Sequence, residues 1–192
     1  MSELYRQSPL NTSNGGETPV AIELAELRVR EKPFMPKRLL RGDPTLLAAA
    51  LYNSGVASLP QVPNTYVEGS NGLLCLWFRP RQWLLLAEQN TSLQAQAELQ
   101  AQLVEPGTCV IDVTDKYHCF TISGARASEL LAVGCSLNLR KEKFTPGLCA
   151  QTLIEQVPVI VCRRPQGYTV LVERALANHL WLWFCHASRE FE

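Results

Sequence analysis

The sequence predicts an α+β protein made of two similar halves. Segments in which apolar and polar residues alternate are typical of β-strands, and segments in which apolar residues recur every three or four positions are typical of helices. Clusters of Gly, Pro, Asn and Ser separate these segments. A strand, a helix, a group of strands and a second helix follow one another twice along the 192 residues, which indicates an internal repeat.

The first half opens with a strand and a helix. Lys37 to Arg41 is predicted to be the strand, and Thr45 to Asn53 the helix. Asp43 can cap this helix, Pro44 suits its first position, and Gly55 follows its end. These residue types are the ones expected at the two ends of a helix.

A long loop, a hairpin and a second helix follow. The loop runs from Val56 to Asn71, where Pro, Asn, Gly and Ser are frequent. Leu73 to Phe78 and Trp83 to Ala87 are predicted to pair as a hairpin. The second helix ends at Pro106-Gly107, and its apolar residues recur every four positions at Ala95, Leu99 and Leu103.

The second half repeats this order after a connecting strand from Thr108 to Thr114. A strand from Phe120 to Ser123 and a helix from Ala125 to Val133 match the opening of the first half. Three strands and a final helix complete the repeat: Ala150 to Glu155, Val157 to Val161, Tyr168 to Glu173, and Arg174 to Ala187.

The repeat sets the predicted domain organisation. We expect a disordered tail over residues 1–19, a first α+β half over residues 20–107, a second over residues 108–188, and a tail over residues 189–192. The helices of each half need a sheet to cover their apolar stripes. We therefore expect two ferredoxin-like halves that pack as one α+β body.

Composition and charge argue against several kinds of partner. Lys plus Arg and Asp plus Glu are both 18, so there is no excess positive charge for nucleic acid. The most apolar stretches are far shorter than the about 20 residues that cross a bilayer. Residues 1–19 lack the basic start and apolar run of a secretory signal. The sequence therefore predicts no nucleic acid, no membrane and a cytoplasmic location.

The sequence shows no pattern that predicts catalytic, cofactor-binding or metal-ligating residues. Neither glycine-rich phosphate-binding pattern is present. The histidines have no Ser, Cys or carboxylate beside them in the pattern of an activated nucleophile: His118, His179 and His186. The seven cysteines contain no Cys-x-x-Cys pair, so we expect reduced thiols in the core rather than metal ligands.

An interface is predicted in the loop from Ser136 to Leu148, because three apolar residues lie in a stretch rich in charge: Leu139, Phe144 and Leu148. Trp77 and Phe78 are neighbours on a strand and point to opposite faces. Trp181 and Trp183 lie about 200° apart on a helix. One member of each pair is therefore a candidate for contact with a partner.

Five short stretches, in order, resemble the gamma subunit family of heterotetrameric sarcosine oxidase: Arg38 to Asp43, Gln82 to Leu86, Val110 to Asp115, Gly134 to Leu139, and Pro146 to Thr152. The likeness extends from about Ile22 to Phe184 and includes a closing helix with two tryptophans. Asn138 and Arg174-Ala175 depart from the family, which often has Asp and Arg-Ser there.

The resemblance implies a fold like the folate-binding domain of the glycine-cleavage aminomethyltransferase. It also implies a non-catalytic accessory subunit whose partners are the alpha, beta and delta subunits of the same oxidase. In that complex the beta subunit carries out oxidative demethylation of sarcosine. The flavins, NAD, zinc and tetrahydrofolate are implied on partner subunits, with no cofactor on this chain. Complexes that oxidise other secondary amines would look similar, so the substrate stays open.

Two other hypotheses remain at this point. The first is a free-standing folate-binding or one-carbon-transfer protein. Such proteins carry a Lys-Gly-Cys-Tyr type of motif, which the stretch from Phe144 to Cys149 does not match. The second is an autonomous thiol or metal enzyme, which depends on the cysteine count alone.

Overall fold

The computed structural model describes residues 7–10, 20–53, 58–69, 72–87 and 107–192. The strands and helices in these residues are, in chain order, β1 (Ala21–Glu23), β2 (Arg28–Glu31), β3 (Lys37–Arg41), α1 (Pro44–Asn53), β4 (Tyr66–Glu68), β5 (Leu73–Arg79), β6 (Gln82–Ala87), β7 (Cys109–Asp112), β8 (Tyr117–Ser123), α2 (Ala127–Gly134), β9 (Cys149–Ile154), β10 (Val157–Arg164), β11 (Gly167–Glu173) and α3 (Ala177–Ala187). Arg174–Leu176 and Ser188–Phe191 form 3-10 helices on either side of α3.

The chain divides into two compact units. Unit 1 comprises Met1–Phe34, Asp115–Pro146 and Gln151–Glu192, and unit 2 comprises Met35–Thr114 and Gly147–Ala150. The sheet of unit 1 has the strand order β1-β2-β8-β11-β10-β9, and the sheet of unit 2 has the order β4-β5-β6-β3-β7. Both sheets are built from antiparallel pairs. The predicted α+β class is therefore confirmed.

The two sheets repeat the same strand order. In unit 1 the order β9-β10-β11-β8-β2 corresponds, strand for strand, to β4-β5-β6-β3-β7 in unit 2. β2 comes directly before β3 in the chain, but it pairs with β8 in the other sheet. β7 likewise comes directly before β8, but it pairs with β3. This exchange explains why residues 20–34 group with the second half, whereas the sequence-based division placed them in residues 20–107.

The core of unit 1 forms between its sheet and α3. The ring of Phe120 on β8 packs edge-on against Phe184, with ring centroids 5.5 Å apart. It also stacks on Trp181, with centroids 6.1 Å apart. Gly167 begins β11 with a positive φ of 153°, and a Cβ there would overlap the carbonyl oxygen of Ile122. A glycine is therefore required where β11 meets β8.

The core of unit 2 forms between α1 and one face of its sheet. Leu47 and Leu51, one turn apart on α1, are fully buried. They pack in a cluster with alternating strand residues that share this face: Leu40, Leu73, Cys75, Trp83, Leu85 and Ala87. The Trp83 ring N–H donates to the carbonyl of Pro60 at 2.8 Å, so the one polar atom of this buried ring has a partner.

Several predicted elements differ from those observed or lie outside the described residues. The predicted helix ending at Pro106-Gly107 lies outside the described residues. β4 forms inside the predicted loop from Val56 to Asn71. The predicted tails contain ordered residues, because Ser8 and Leu10 are buried and residues 188–191 form a 3-10 helix. Short strands such as β1 and β4, of three residues each, are too brief to show an alternation.

Candidate functional site

A buried polar cluster lies in unit 1. The Ser8 hydroxyl donates to Oε1 of Glu31, and Nε2 of His118 lies 3.1 Å from the same oxygen. The backbone N–H of Val20 donates to the other carboxylate oxygen at 3.0 Å. The Glu31 side chain is fully buried and that of His118 is 5% exposed. The cluster joins residues 7–10 to β2 and β8.

The electrostatics of the cluster favour an ionised Glu31. Burial on its own raises the pKa of this carboxyl, because it disfavours the charged form. The adjacent His118 ring and the hydrogen bonds from the Ser8 hydroxyl and the Val20 N–H act in the opposite direction and outweigh burial, so the pKa of Glu31 lies below its ordinary value. The carboxylate is thus held charged inside the unit by two hydrogen-bond donors and the adjacent His118 ring.

The geometry of this cluster does not activate a nucleophile. In a catalytic triad the histidine lies between the hydroxyl and the carboxylate, so that it can accept the hydroxyl proton. Here the Ser8 hydroxyl donates a hydrogen bond to the Glu31 carboxylate, and the ring of His118 contacts the same carboxylate. The cluster therefore clamps the N-terminal residues to the sheet. Arg174 adds a second tie by donating to the carbonyl of Gln7.

Sequence reasoning missed this cluster because its members are far apart along the chain. The sequence shows no Ser, Cys or carboxylate near His118 in the pattern of an activated nucleophile, but the antiparallel pairing of β2 with β8 brings Glu31 to it. The sequence did contain one signal for this cluster. Val29 and Glu31 both occupy the buried positions of β2, so the alternation along the strand places a carboxylate on the inward face.

A basic pocket lies at one end of the unit 2 sheet. It has a volume of about 590 Å3 and lies where the β3–α1 junction, the β5–β6 hairpin and the chain before β7 meet, lined by Arg41, Gly42, Pro80, Arg81, Gln82, Gly107, Thr108 and Cys109. Gly42 donates its N–H to the carbonyl of Arg81 at 3.1 Å. A Cβ on Gly42 would overlap the carbonyl oxygen of Gly107. Three chain segments therefore converge tightly at the pocket floor.

The lining of this basic pocket is positively charged. Arg41 and Arg81 are both exposed, and no carboxylate is found among the described residues that line the pocket. The nearest acid in sequence, Asp43, accepts the backbone N–H groups of Thr45 at 2.8 Å and Leu46 at 3.3 Å. Those hydrogen bonds, with a smaller contribution from the Arg81 charge, lower the pKa of Asp43. The pocket therefore suits an anionic group, while Asp43 caps α1 as the sequence predicted.

The predicted interface residues lie in different surroundings. Leu139 and Phe144 belong to unit 1 and are each 5% exposed. The ring of Phe144 stacks on that of Tyr168, with centroids 6.5 Å apart and an angle of 8°. Leu148 belongs to unit 2, is partly buried, and bridges to Thr65. The contact with a partner stays a prediction. Because Phe144 is a core side chain, its replacement by Glu would disturb the fold as well as any such contact.

The aromatic pairs and the cysteines also pack within their own units. Trp77 is partly buried against the unit 2 core, and Trp183 lies against Gly134 of α2. All seven cysteines are free. Burial raises the pKa of the Cys75 and Cys185 thiols, which disfavours the reactive thiolate.

Two further searches cover the described part of the chain. Within it, no three His, Cys, Asp or Glu residues are grouped so that they could hold a metal ion. None of the helices seen there combines the length and apolar character needed to cross a membrane.

Comparison with known proteins identifies similar chains. The family model described as "Sarcosine oxidase, gamma subunit family" matches residues 41–190. The sarcosine oxidase subunit gamma of Corynebacterium sp. (strain U-96) is 27% identical over 191 residues, which cover 95% of this chain and 92% of that protein. A chain of the heterotetrameric sarcosine oxidase from Corynebacterium sp. U-96, in complex with pyrrole 2-carboxylate, has a TM-score of 0.81 at 24% identity, covering 97% of this chain and 96% of that one.

A second structural similarity extends the fold assignment. The glycine cleavage system aminomethyltransferase T from Bartonella henselae has a TM-score of 0.65 at 15% identity, covering 86% of this chain and 47% of that chain. The two structural matches show the fold, and they confirm the expected likeness to an aminomethyltransferase. The family model matches well over half of the sequence. The chain therefore belongs to the sarcosine oxidase gamma subunit family.

Proposed function

We propose that this chain is a non-catalytic, gamma-type subunit of a heterotetrameric sarcosine oxidase, which carries out oxidative demethylation of sarcosine or a related secondary amine. The family match over residues 41–190 carries the proposal. The similarity in fold to a chain of a heterotetrameric sarcosine oxidase supports it. In this proposal the partners are the alpha, beta and delta subunits, and the complex is located in the cytoplasm.

The chemistry of the chain's own residues supports a non-catalytic role. In the constellation that most resembles a catalytic site, Ser8 and His118 both contact Glu31, so the imidazole does not lie between the hydroxyl and the carboxylate as a catalytic triad requires. The pKa of the Cys75 thiol is raised by burial, so this sulfur is a poor nucleophile. We therefore assign the amine oxidation to a partner subunit.

The cofactors are assigned to the partner subunits in the same proposal. Flavins, NAD and zinc would supply the redox chemistry and a metal site there. Tetrahydrofolate is assigned there too, because its pterin ring needs a flat apolar surface to stack on. The described lining of the basic pocket of unit 2 offers arginine, glycine and polar side chains and, within those residues, no aromatic ring, so it does not fit this group.

The test is purification of the tagged chain from its native cells, followed by a visible absorption spectrum of the eluted material. We expect several co-purifying subunits and flavin absorption bands. A colourless, lone protein of 21.4 kDa would contradict the proposal. The free-standing folate-binding alternative is not favoured, since the family model and the Corynebacterium relative are both described as gamma subunits.

A further inference from the structure

The outer face of α1 lacks the charges that normally face solvent on a surface helix. None of the ten residues of α1 is charged. Its inner side packs on the unit 2 sheet through Leu47 and Leu51. On the opposite side, the side chains of Leu46 and Tyr52 are 41% and 72% exposed. We call this outer side the α1 face, and it comprises Thr45, Leu46, Ala49 and Tyr52.

The α1 face adjoins the basic pocket of unit 2. Arg41 and Gly42 of the pocket immediately precede the cap residue of α1, so the helix starts at the pocket rim. The result is an exposed, largely apolar helix face whose N-terminal end adjoins a pocket with two exposed arginines. Protein interfaces commonly combine an apolar, tyrosine-containing centre with a polar rim, and arginine is enriched in them.

A second copy of this chain is a poor occupant of this surface. A two-fold dimer would pair the surface with itself, so each copy would offer arginines to arginines. The neighbouring acid, Asp43, is already used to cap α1. The ten residues of α1, at ~1.5 Å rise each and about 10 Å width, offer only about 150 Å2, well below the about 800 Å2 per partner of a stable interface. The α1 face is therefore one part of a larger contact.

We propose that the α1 face and the basic pocket together dock a segment of a partner oxidase subunit that carries apolar side chains next to a carboxylate. The apolar side chains would pack on Leu46 and Tyr52, and the carboxylate would accept hydrogen bonds from Arg41 and Arg81. This inference rests on the proposed function, because it names the part of the chain that contacts the oxidase.

The test compares variants of the tagged chain in the whole complex, purified in low salt (about 0.05 M) and high salt (about 0.5 M). Tyr52→Lys charges the α1 face. Arg41→Gln and Arg81→Asn each remove one guanidinium, and Asn tolerates the positive φ of 59° at position 81. The matched controls are Leu182→Lys, on an exposed position of α3, and Lys32→Gln, at an exposed lysine of unit 1. Circular dichroism and thermal melting check that every variant folds.

The expected result is that Tyr52→Lys lowers the amount of co-purified partner subunits about tenfold or more. The two arginine variants should weaken assembly in low salt and reduce its salt dependence, while both controls assemble as the wild type does. If the wild type recovers its partners and all three variants recover them equally well, the docking surface is overturned and the proposed function stands. If the wild type recovers no partners, the proposed function itself fails.

Two further outcomes would also overturn the docking surface. If Leu182→Lys weakens assembly as much as Tyr52→Lys, the effect of an added charge is not specific to the α1 face. If the isolated chain forms dimers that Tyr52→Lys dissociates, a second copy of the chain covers the face in place of a partner subunit.

Discussion

Replacing Glu31 with alanine tests whether the buried cluster clamps the N-terminal residues to the unit 1 sheet. The substitution removes the acceptor for the Ser8 hydroxyl and for the Val20 N–H, and it removes the charged partner of His118. Neither side chain can turn to water without a local opening, because Ser8 and His118 are 6% and 5% exposed. The change should therefore reduce the stability of unit 1.

The magnitude follows from the groups left without a partner. A buried donor without an acceptor costs about 1–3 kcal/mol, and Glu31→Ala leaves two such donors, the Ser8 hydroxyl and the Val20 N–H. Removal of the carboxylate also ends the penalty for burying it, which offsets part of this loss. We expect the free energy of unfolding to fall by about 3 kcal/mol in Glu31→Ala.

Urea denaturation of the purified chain measures this change, and limited proteolysis reports the release of residues 7–10. Glu23→Ala is the matched control, because Glu23 is also a strand carboxylate paired with arginines but is exposed to solvent. Its removal should have little effect on unfolding. The clamp model is refuted if Glu31→Ala unfolds at the same urea concentration as Glu23→Ala and shows no new cleavage near the N-terminus.

Three further predictions concern pH, a glycine and the predicted interface. The pKa of Glu31 is lowered from a usual value of 4.5, so its contribution to stability is present above that pH and is lost as pH falls through the folded pKa; Glu31→Gln should flatten this acid loss in pH-dependent urea melts. Gly167→Ala should destabilise by about 2 kcal/mol more than Gly147→Ala in the same melts, because both have positive φ but only Gly167 faces a backbone carbonyl. Phe144→Ala should lower the unfolding free energy by about 3 kcal/mol, and unchanged stability would show that its ring is not part of the core.

Within the described residues, and apart from β4, the repeated order of elements could be predicted from sequence because it depends on local signals. The alternation of apolar residues, the Asp43 cap and the glycines near element ends are all visible within a few residues. The assignment of β2 and β7 to sheets could not be predicted in the same way. Each of these strands is followed in the chain by a strand of the other sheet, β3 after β2 and β8 after β7. Proximity in sequence therefore favours the wrong pairing partner.

The buried cluster was beyond sequence reasoning for a related reason. Each of Ser8, Glu31 and His118 is unremarkable in its own stretch of sequence, and their shared chemistry arises only when β2 pairs with β8. The pairing register sets Glu31 opposite Phe120, two residues from His118 on the same strand. Local patterns can place a carboxylate on an inward face, but only the sheet register shows what it meets.

The two candidate docking regions show which sequence signal carries information about a partner. Leu139 and Phe144 are apolar residues in a charged loop, and the structure accounts for both by burial within unit 1. A loop that crosses a small unit needs such buried apolar residues, so apolar residues among charges do not distinguish an interface from a core.

α1 presents the opposite case. A helix without any charge is normally covered on all sides, and the sequence cannot show whether its own chain covers it. Tyr52 is 72% exposed, so the described residues of this chain leave that side of α1 open. For this reason the α1 face, rather than the loop from Ser136 to Leu148, is the place where a single added charge should separate assembly from folding.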